Sequence, residues 1–369
     1  MSFYTCLEQY RGFDVQDFFA RVTDVDVTKS LHREKPGPMD FLVLLSPAAG
    51  RHLEAMARKA RSLTLQYFGR TIQLFIPLYI SNHCTNQCAY CGFNPKNAIF
   101  RRKLDMAEIE NEARAISRTG MRHILFLTGE SPVHTPITYL CDATRLLRQY
   151  FASVSVEVYP LAVEDYQALR EAGVDGMTLF QETYNPVVYD TVHPKGRKKD
   201  FRWRLEAPER AARAGMRVVN LGALLGLSEP RADIFFTGLH ARYLEDGFPD
   251  TEVAVSLPRF NPAEGHFLPD HTVDDRLFVQ FMTALRIFLP RAGITISTRE
   301  NAVFRDRILS LGPTRYSAGS SVGVGGYSHI RNPGGPQFEI TDSRTVSEVA
   351  EAISALGYQP VYKDWDRIL

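Results

Sequence analysis

The sequence predicts an α/β protein built as a (β/α)8 TIM-type barrel with an N-terminal helical extension, and three observations carry that expectation. The chain has 369 residues, too long for one small domain and suited to a barrel that typically needs about 250 residues, plus additions. Short apolar runs alternate with helical stretches eight times from residue 72 onward, the beat of a parallel sheet whose strand number closes a barrel. Several helical stretches end in glycine just before the next run: Gly120, Gly173, Gly215 and Gly293. Glycine takes the left-handed position past a helix end without steric cost.

The expected strands are Ile72–Ile80, His123–Thr128, Val154–Leu161, Met177–Gln181, Val218–Leu225, Val253–Leu257, Ile294–Ser297 and a weaker run at Ser310–Ser317. The expected helices between them are Met106–Thr119, Ile137–Tyr150, Val163–Ala172, Phe201–Ala214, Asp233–Leu244, Val273–Leu289 and the short Ala302–Leu309, with Val346–Leu356 closing the series. Residues 1–70 read as mostly helical and polar, an extension packed outside the barrel of residues 71–369 and its C-terminal closing segment. Internal sequence repeats and low-complexity segments are not evident.

Composition narrows the function classes. Lys and Arg number 43 against 42 Asp and Glu, a net charge of +1, which gives no support to a nucleic-acid or membrane-surface role. The longest apolar stretch, Ile72 to Ile80, falls far short of the roughly 20 residues that span a bilayer. The first residues carry Glu8, Arg11 and Asp14 and no apolar signal core. The expectation is a soluble, cytoplasmic enzyme. Five cysteines in 369 residues do not make a secreted disulfide framework; Cys6 and Cys141 stand alone, whereas Cys84, Cys88 and Cys91 lie within eight residues.

Those three follow the first strand in the order Cys-x3-Cys-x2-Cys, with the aromatic Tyr90 just before the last. Barrel chemistry sits at the C-terminal strand ends. Three thiolates on a short loop grip three irons of a [4Fe–4S] cluster, whose usual complement is four cysteines, and leave one iron open. A structural zinc site with His83 as fourth ligand competes, although zinc favours ligands on two chain segments and His83 beside Cys84 strains a tetrahedron. Buried inert thiols are the other competing account.

Cys-x3-Cys-x2-Cys after the first barrel strand resembles the signature of the radical S-adenosylmethionine (SAM) enzymes. The surrounding sequence is similar to one branch of them, the 2-iminoacetate synthases, tyrosine lyases of bacterial thiamine thiazole synthesis. The segments that carry the resemblance are GRTIQLFIPLYISN before the cysteines, CGF after them, then LTGE, QETY, WRLEAPERAARAG, LGALLGL, SLPR, STRE, FRDR and QPVYKDWD. They keep their order over some four fifths of the chain.

The resemblance implies a [4Fe–4S] cluster on Cys84, Cys88 and Cys91 and SAM chelating the open iron through its amine and carboxylate. Thr128-Gly129-Glu130, directly after the second strand, matches the superfamily's Gly-Gly-Glu contact to the SAM amine, with Thr128 in place of the first glycine, as is usual in the tyrosine-lyase branch. Arg204 matches the arginine that pairs with the SAM carboxylate, a task suited to a planar two-donor fork. Glu157 and Glu182 end the third and fourth strands, where ribose hydroxyls need acceptors, and Tyr90 joins the cofactor set. Gly222 and Gly226 either let backbone approach adenine or are turn glycines. Gly323, Gly325 and Gly326 resemble a phosphate loop only superficially. At the end of the seventh strand Arg299 matches the arginine that binds the substrate carboxylate in aromatic amino-acid lyases, and Arg259 is the second choice. A salt bridge with Glu300 or another acid is the competing account for both.

The implied reaction begins with one electron from an external reductant and reductive cleavage of SAM to methionine and a 5′-deoxyadenosyl radical. Hydrogen abstraction from L-tyrosine then breaks its Cα–Cβ bond to give 2-iminoacetate (dehydroglycine) and p-cresol. The implied partners are thiazole synthase and a flavodoxin or ferredoxin, for which Arg101-Arg102-Lys103 and Lys195 to Lys199 offer basic docking stretches. Alternatives are another radical SAM enzyme acting on an aromatic amino acid, of the hydrogenase-maturation or tryptophan-lyase type, and a non-catalytic zinc-binding protein. The hydrogenase-maturation activity needs further cysteines for a second cluster, and none follows Cys141.

Overall fold

The computed structural model describes residues 2–265, 267–328 and 334–363. Eight parallel strands close on themselves: β1 Thr71–Ser81, β2 His123–Thr128, β3 Ser153–Glu157, β4 Gly176–Glu182, β5 Val218–Ala223, β6 Glu252–Ser256, β7 Gly293–Ile296 and β8 Arg315–Ser317. Each strand pairs with the next, and β1 pairs with both β2 and β8. The strands are buried on both faces, as in β2, where all of HILFLT is buried; apolar runs without alternation are what a sheet covered by helices demands. The expectation of a (β/α)8 barrel holds.

β1 is long because its two halves have different neighbours. Its upper half, Ile76 to Ser81, pairs with β2. Its lower half, Thr71 to Gln73, pairs in parallel with a ninth strand, β9 Gln359–Val361, and the Tyr362 carbonyl next to it accepts a hydrogen bond from Arg122 N. The end of the described chain is thereby stitched to the floor of the barrel, opposite the cysteine loop.

Three local expectations change. Phe201–Ala214 is two helices, Phe201–Leu205 and Ala207–Arg213, because Pro208 has no N–H with which to bond the Arg204 carbonyl. Gly293 is the first residue of β7, with no left-handed φ; a Cβ there would lie 3.1 Å from Ala254 Cβ on β6, so strand proximity accounts for it. An additional helix, Pro186–Val192, follows β4, capped by Asn185 Oδ1, which accepts from Val187 N and Val188 N.

Helices Phe3–Glu8, Val15–Arg21, Asp24–His32, Pro38–Leu45 and Leu53–Phe68 lie outside the barrel. Pro38–Leu45 departs from the expected polar character, with Phe41 through Leu45 all buried. It packs on helices Pro230–Gly247 and Asp275–Phe288. There Phe41 stacks on Phe288 with ring centroids 4.5 Å apart, and Gln280 Nε2 donates to the carbonyls of Leu44 and Ser46.

Candidate active site

The cysteine loop leaves β1 at the C-terminal mouth of the barrel and is held by its own backbone. Arg101 donates from Nη1 to the carbonyls of Asn82 and Phe93, and from Nη2 to those of Asn94 and Asn97. Gly129 N donates to the Ser81 carbonyl at 2.8 Å, and any Cβ on Gly129 would run into the His83 carbonyl. Glycine is required there because two chain segments touch.

Cys84 and Cys91 are partly buried, and Cys88 is buried; all three are free thiols. Desolvation pushes Cys84 up to about 11 and raises Cys88 and Cys91 as well, while Lys198 pulls the latter two back down. The His83 ring stacks on His134, centroids 4.1 Å apart and nearly parallel, so its face is committed to another ring. Among the described residues, no three His, Cys, Asp or Glu side chains are grouped to hold a single metal ion.

Beside the thiols, two acids and two bases interlock. Arg204, 4% exposed, donates from Nη1 to Glu130 Oε1 at 2.7 Å and from Nε to the Phe180 carbonyl at 2.7 Å. Glu130 Oε2 accepts from Asn86 Nδ2 at 2.8 Å. Lys198 Nζ donates to Glu182 Oε1 at 2.6 Å and stands 3.9 Å from Glu130. Burial pushes both carboxyls up, but Arg204 and Lys198 outweigh it and hold them below their ordinary range. Glu182 has φ +75°, the one left-handed non-glycine among the described residues, at a bulge in the β4–β5 pairing. The bulge re-aims its carboxylate toward the mouth. Glu157 is different. Burial and neighbouring Glu182 push its carboxyl up to about 7. The Tyr90 hydroxyl donates to His193 Nε2 at 2.8 Å, because His193 Nδ1 gives its proton to the Tyr189 carbonyl, which places the Tyr90 ring in the wall beside Lys198.

Two cavities meet here. The first is lined by the three cysteines with Gly129, Glu130 and Arg204. The second, deeper in the barrel, is lined by Phe75, Phe180, Leu257, Phe338 and Arg299. Tyr79, Cys91, Glu157, Glu182, Lys198 and Gln337 belong to both walls. Arg299 presents its guanidinium 3.4 Å from the Phe338 ring centroid, and its Nη1 donates to the Arg259 carbonyl at 3.5 Å. No carboxylate among the described residues forms a salt bridge with it, and burial pushes its pKa down.

Several expectations are corrected. Arg259 does not line the deep cavity: Glu300 holds its Nε and Nη2, and Asp275 with the Val273 carbonyl holds Nη1. It is a salt-bridged strut, the competing account given above. Gly222 faces the Ser256 carbonyl of β6, and Gly226 is a left-handed turn residue at φ +122°, so both serve strand packing and turning. The Gly323–Gly326 segment continues the barrel rim, with Gly325 N donating to the Tyr79 carbonyl. Of the basic stretches, Arg101 is consumed by the cysteine loop, Arg102 pairs with Glu108, and Lys198 is buried in the site; Lys103, Lys195, Arg197 and Lys199 are exposed, Lys199 paired with Asp190 at 2.8 Å. Sequence reasoning missed Asn86, Lys198 and Gln337 as site residues. The signal for Lys198, five residues past His193 in a run with Lys195, Arg197 and Lys199, is invisible without its partners.

Three thiols on one loop border a cavity that also receives Thr128 Oγ1, a buried hydroxyl without a hydrogen-bond partner, and the Glu130–Arg204 pair offers matching charges for an ammonium and a carboxylate. The residues fit an iron–sulfur cluster and SAM. A parallel eight-stranded barrel with this loop at its mouth defines a radical SAM enzyme. The Radical SAM superfamily pattern matches residues 78–235, and the Biotin and Thiamin Synthesis associated domain matches residues 256–359. The chain is 40% identical to the 2-iminoacetate synthase of Escherichia coli (strain K12), over 99% of this chain and 98% of that protein. It is 27% identical to the 3-methylornithine synthase of Methanosarcina acetivorans, over 70% and 72%. Among solved structures, the FeFe-hydrogenase maturase HydG from Carboxydothermus hydrogenoformans superposes with a TM-score of 0.85 at 32% identity, covering 97% of this chain and 82% of that one. The chain belongs to the 2-iminoacetate synthase family.

Proposed function

We propose that this protein cleaves the Cα–Cβ bond of L-tyrosine to 2-iminoacetate and p-cresol for thiamine thiazole synthesis. The observation that carries the reading is the shared wall: the thiol-lined cavity and the Arg299 cavity adjoin through Cys91, Glu157, Glu182 and Lys198. When bound, the [4Fe–4S] cluster and SAM supply the one-electron reduction and the 5′-deoxyadenosyl radical. Cys84, Cys88 and Cys91 hold the cluster. Glu130 takes the SAM ammonium and Arg204 its carboxylate, while Glu157 and Glu182 accept from the ribose hydroxyls with Tyr90 walling the site. Arg299, a half-buried cation with no carboxylate salt bridge among the described residues, takes the carboxylate of tyrosine through paired hydrogen bonds. Phe75, Phe180, Leu257 and Phe338 enclose the remainder of the substrate and keep water and stray hydrogen donors from the reacting atoms.

The reaction belongs in the cytoplasm, where thiols stay reduced. Thiazole synthase is the fitting acceptor, because 2-iminoacetate hydrolyses in water and profits from direct transfer. A flavodoxin or ferredoxin donates the electron, and the exposed Lys103, Lys195 and Arg197 offer charges to meet it.

The test is an anaerobic assay of the iron–sulfur-reconstituted protein with dithionite, SAM and tyrosine. p-Cresol and 5′-deoxyadenosine are expected, and both should vanish in Cys88→Ala. Deoxyadenosine without p-cresol would move the substrate elsewhere. A protein that takes up zinc but no iron or sulfide would sink the enzymatic reading.

A further inference from the structure

Residues 334–342 return across the mouth of the barrel after β8, and Gln337 in this strap is fixed at four points. Its backbone N donates to the Val322 carbonyl at 3.2 Å, and its own carbonyl accepts from Gly92 N at 3.1 Å. Its side-chain Oε1 accepts from the Tyr79 hydroxyl at 2.7 Å. With Oε1 so engaged, the amide Nε2 is turned to Cys91 Sγ, 3.9 Å away, a sulfur-range hydrogen bond. Tyr79 is a dependable donor, since burial pushes its phenol well above the ordinary value and keeps it protonated. Gly92 leaves no slack on the backbone side: a Cβ there would lie 2.7 Å from both the Pro336 and Gln337 carbonyls.

We propose that Gln337 is a positioning residue that sets the reduction potential of the cluster by donating its amide N–H to Cys91 Sγ. The inference rests on the reading that the three thiols hold the cluster. Reduction adds an electron that is shared with the coordinating sulfurs. A donor aimed at one of them therefore stabilises the reduced form more than the oxidised form and raises the potential. The Tyr79 hydroxyl supplies the orientation, because an amide with a free Oε1 could flip and present its oxygen to the thiolate. The next residue, Phe338, lies on the Arg299 guanidinium, so the strap touches the cluster loop and the substrate side within two residues.

The test compares midpoint potentials of the reconstituted holoenzyme by anaerobic titration followed by electron paramagnetic resonance. Gln337→Leu, which removes the donor, and Gln337→Glu, which keeps an acceptor for Tyr79 but has no amide N–H, should both shift the potential to more negative values. The expected shift is a tenfold or larger loss in the reduced-to-oxidised ratio at fixed potential, about 59 mV for one electron. Iron content and the cluster signal should stay at the level of the unaltered protein. Normal cluster loading with an unchanged potential in both variants would overturn the proposal while leaving the cluster reading intact. A shift in Gln337→Leu alone would also overturn it, since strap displacement would then be the cause. Absence of a cluster signal in the unaltered protein would instead remove the reading on which the proposal stands.

Discussion

Glu157 and the Lys198–Glu182 pair show how burial sorts chemically equal groups. Glu157 has its carboxyl raised to about 7 by burial, then by Glu182, against the pull of Arg299, Lys198 and Arg204. Between its ordinary value and about 7 the folded protein holds a proton that the unfolded chain releases, so stability falls as pH rises through that window. Glu157→Gln removes this dependence. Denaturation of the cluster-free protein should show the variant gaining roughly 1–3 kcal/mol over the unaltered protein between pH 4.5 and 7, and parallel pH profiles would refute the shift. Lys198→Met should cost about 3 kcal/mol, because it leaves the buried Glu182 carboxylate with only the longer 3.5 Å contact to Arg204 Nη2, and adding Glu182→Gln should recover most of that loss. Simple additivity of the two changes would refute the coupling. The cysteines were legible in the sequence because all three lie within eight residues. Arg259 and Arg299 were not distinguishable there, because which of them meets Glu300 depends on the packing of two separate loops. Lys198 sat in a run of bases that reads as solvated surface until β4 bulges and turns Glu182 toward it.

At the level of elements, the first seven parallel strands were legible to within about four residues, because each is an apolar run that helices cover on one side and barrel core on the other; the eighth, expected from Ser310, begins only at Arg315 after a helical turn at Leu309–Leu311. What escaped was decided by local breaks or distant pairing. Pro208 divides an otherwise continuous helical pattern. β9 is a three-residue strand with no periodicity to detect, formed because the lower half of β1 needs a partner. The β1–cysteine loop–β2 junction makes the sharpest prediction at this scale. Gly129→Ala places a methyl group against the His83 carbonyl, and relief requires moving the cysteine loop, since the β2 backbone is locked in the barrel. Overpacking of this kind costs about 1–3 kcal/mol. The larger effect should be a several-fold drop in iron bound per chain after reconstitution, with far-UV circular dichroism unchanged. Full iron loading would show that the loop moves freely and that the contact is inconsequential.

Over the whole molecule, the remaining question is whether residues 1–70 form a unit apart from the barrel. The contacts argue for a single cooperative body. Phe41, from the helix Pro38–Leu45, lies between Phe235 and Phe288, and Gly238 makes room for its ring, since a Cβ there would collide with it. Gln280 and Arg231, on barrel helices, donate to the carbonyls of Leu44 and Leu45 at the end of the same helix, so apolar and polar terms couple the two parts. Phe41→Ala opens a cavity shared by the extension and two barrel helices, at a cost of about 3–5 kcal/mol. If the chain unfolds as one body, that cost lowers a single thermal transition seen alike by circular dichroism and by tryptophan fluorescence, to which Trp203 at the barrel mouth contributes. If the extension were independent, a small early transition would split off in circular dichroism while the fluorescence transition stayed in place. The single, lowered transition is the expected result: the helix carries an unbroken buried run from Phe41 to Leu45, more apolar surface than a detached helix could leave in water.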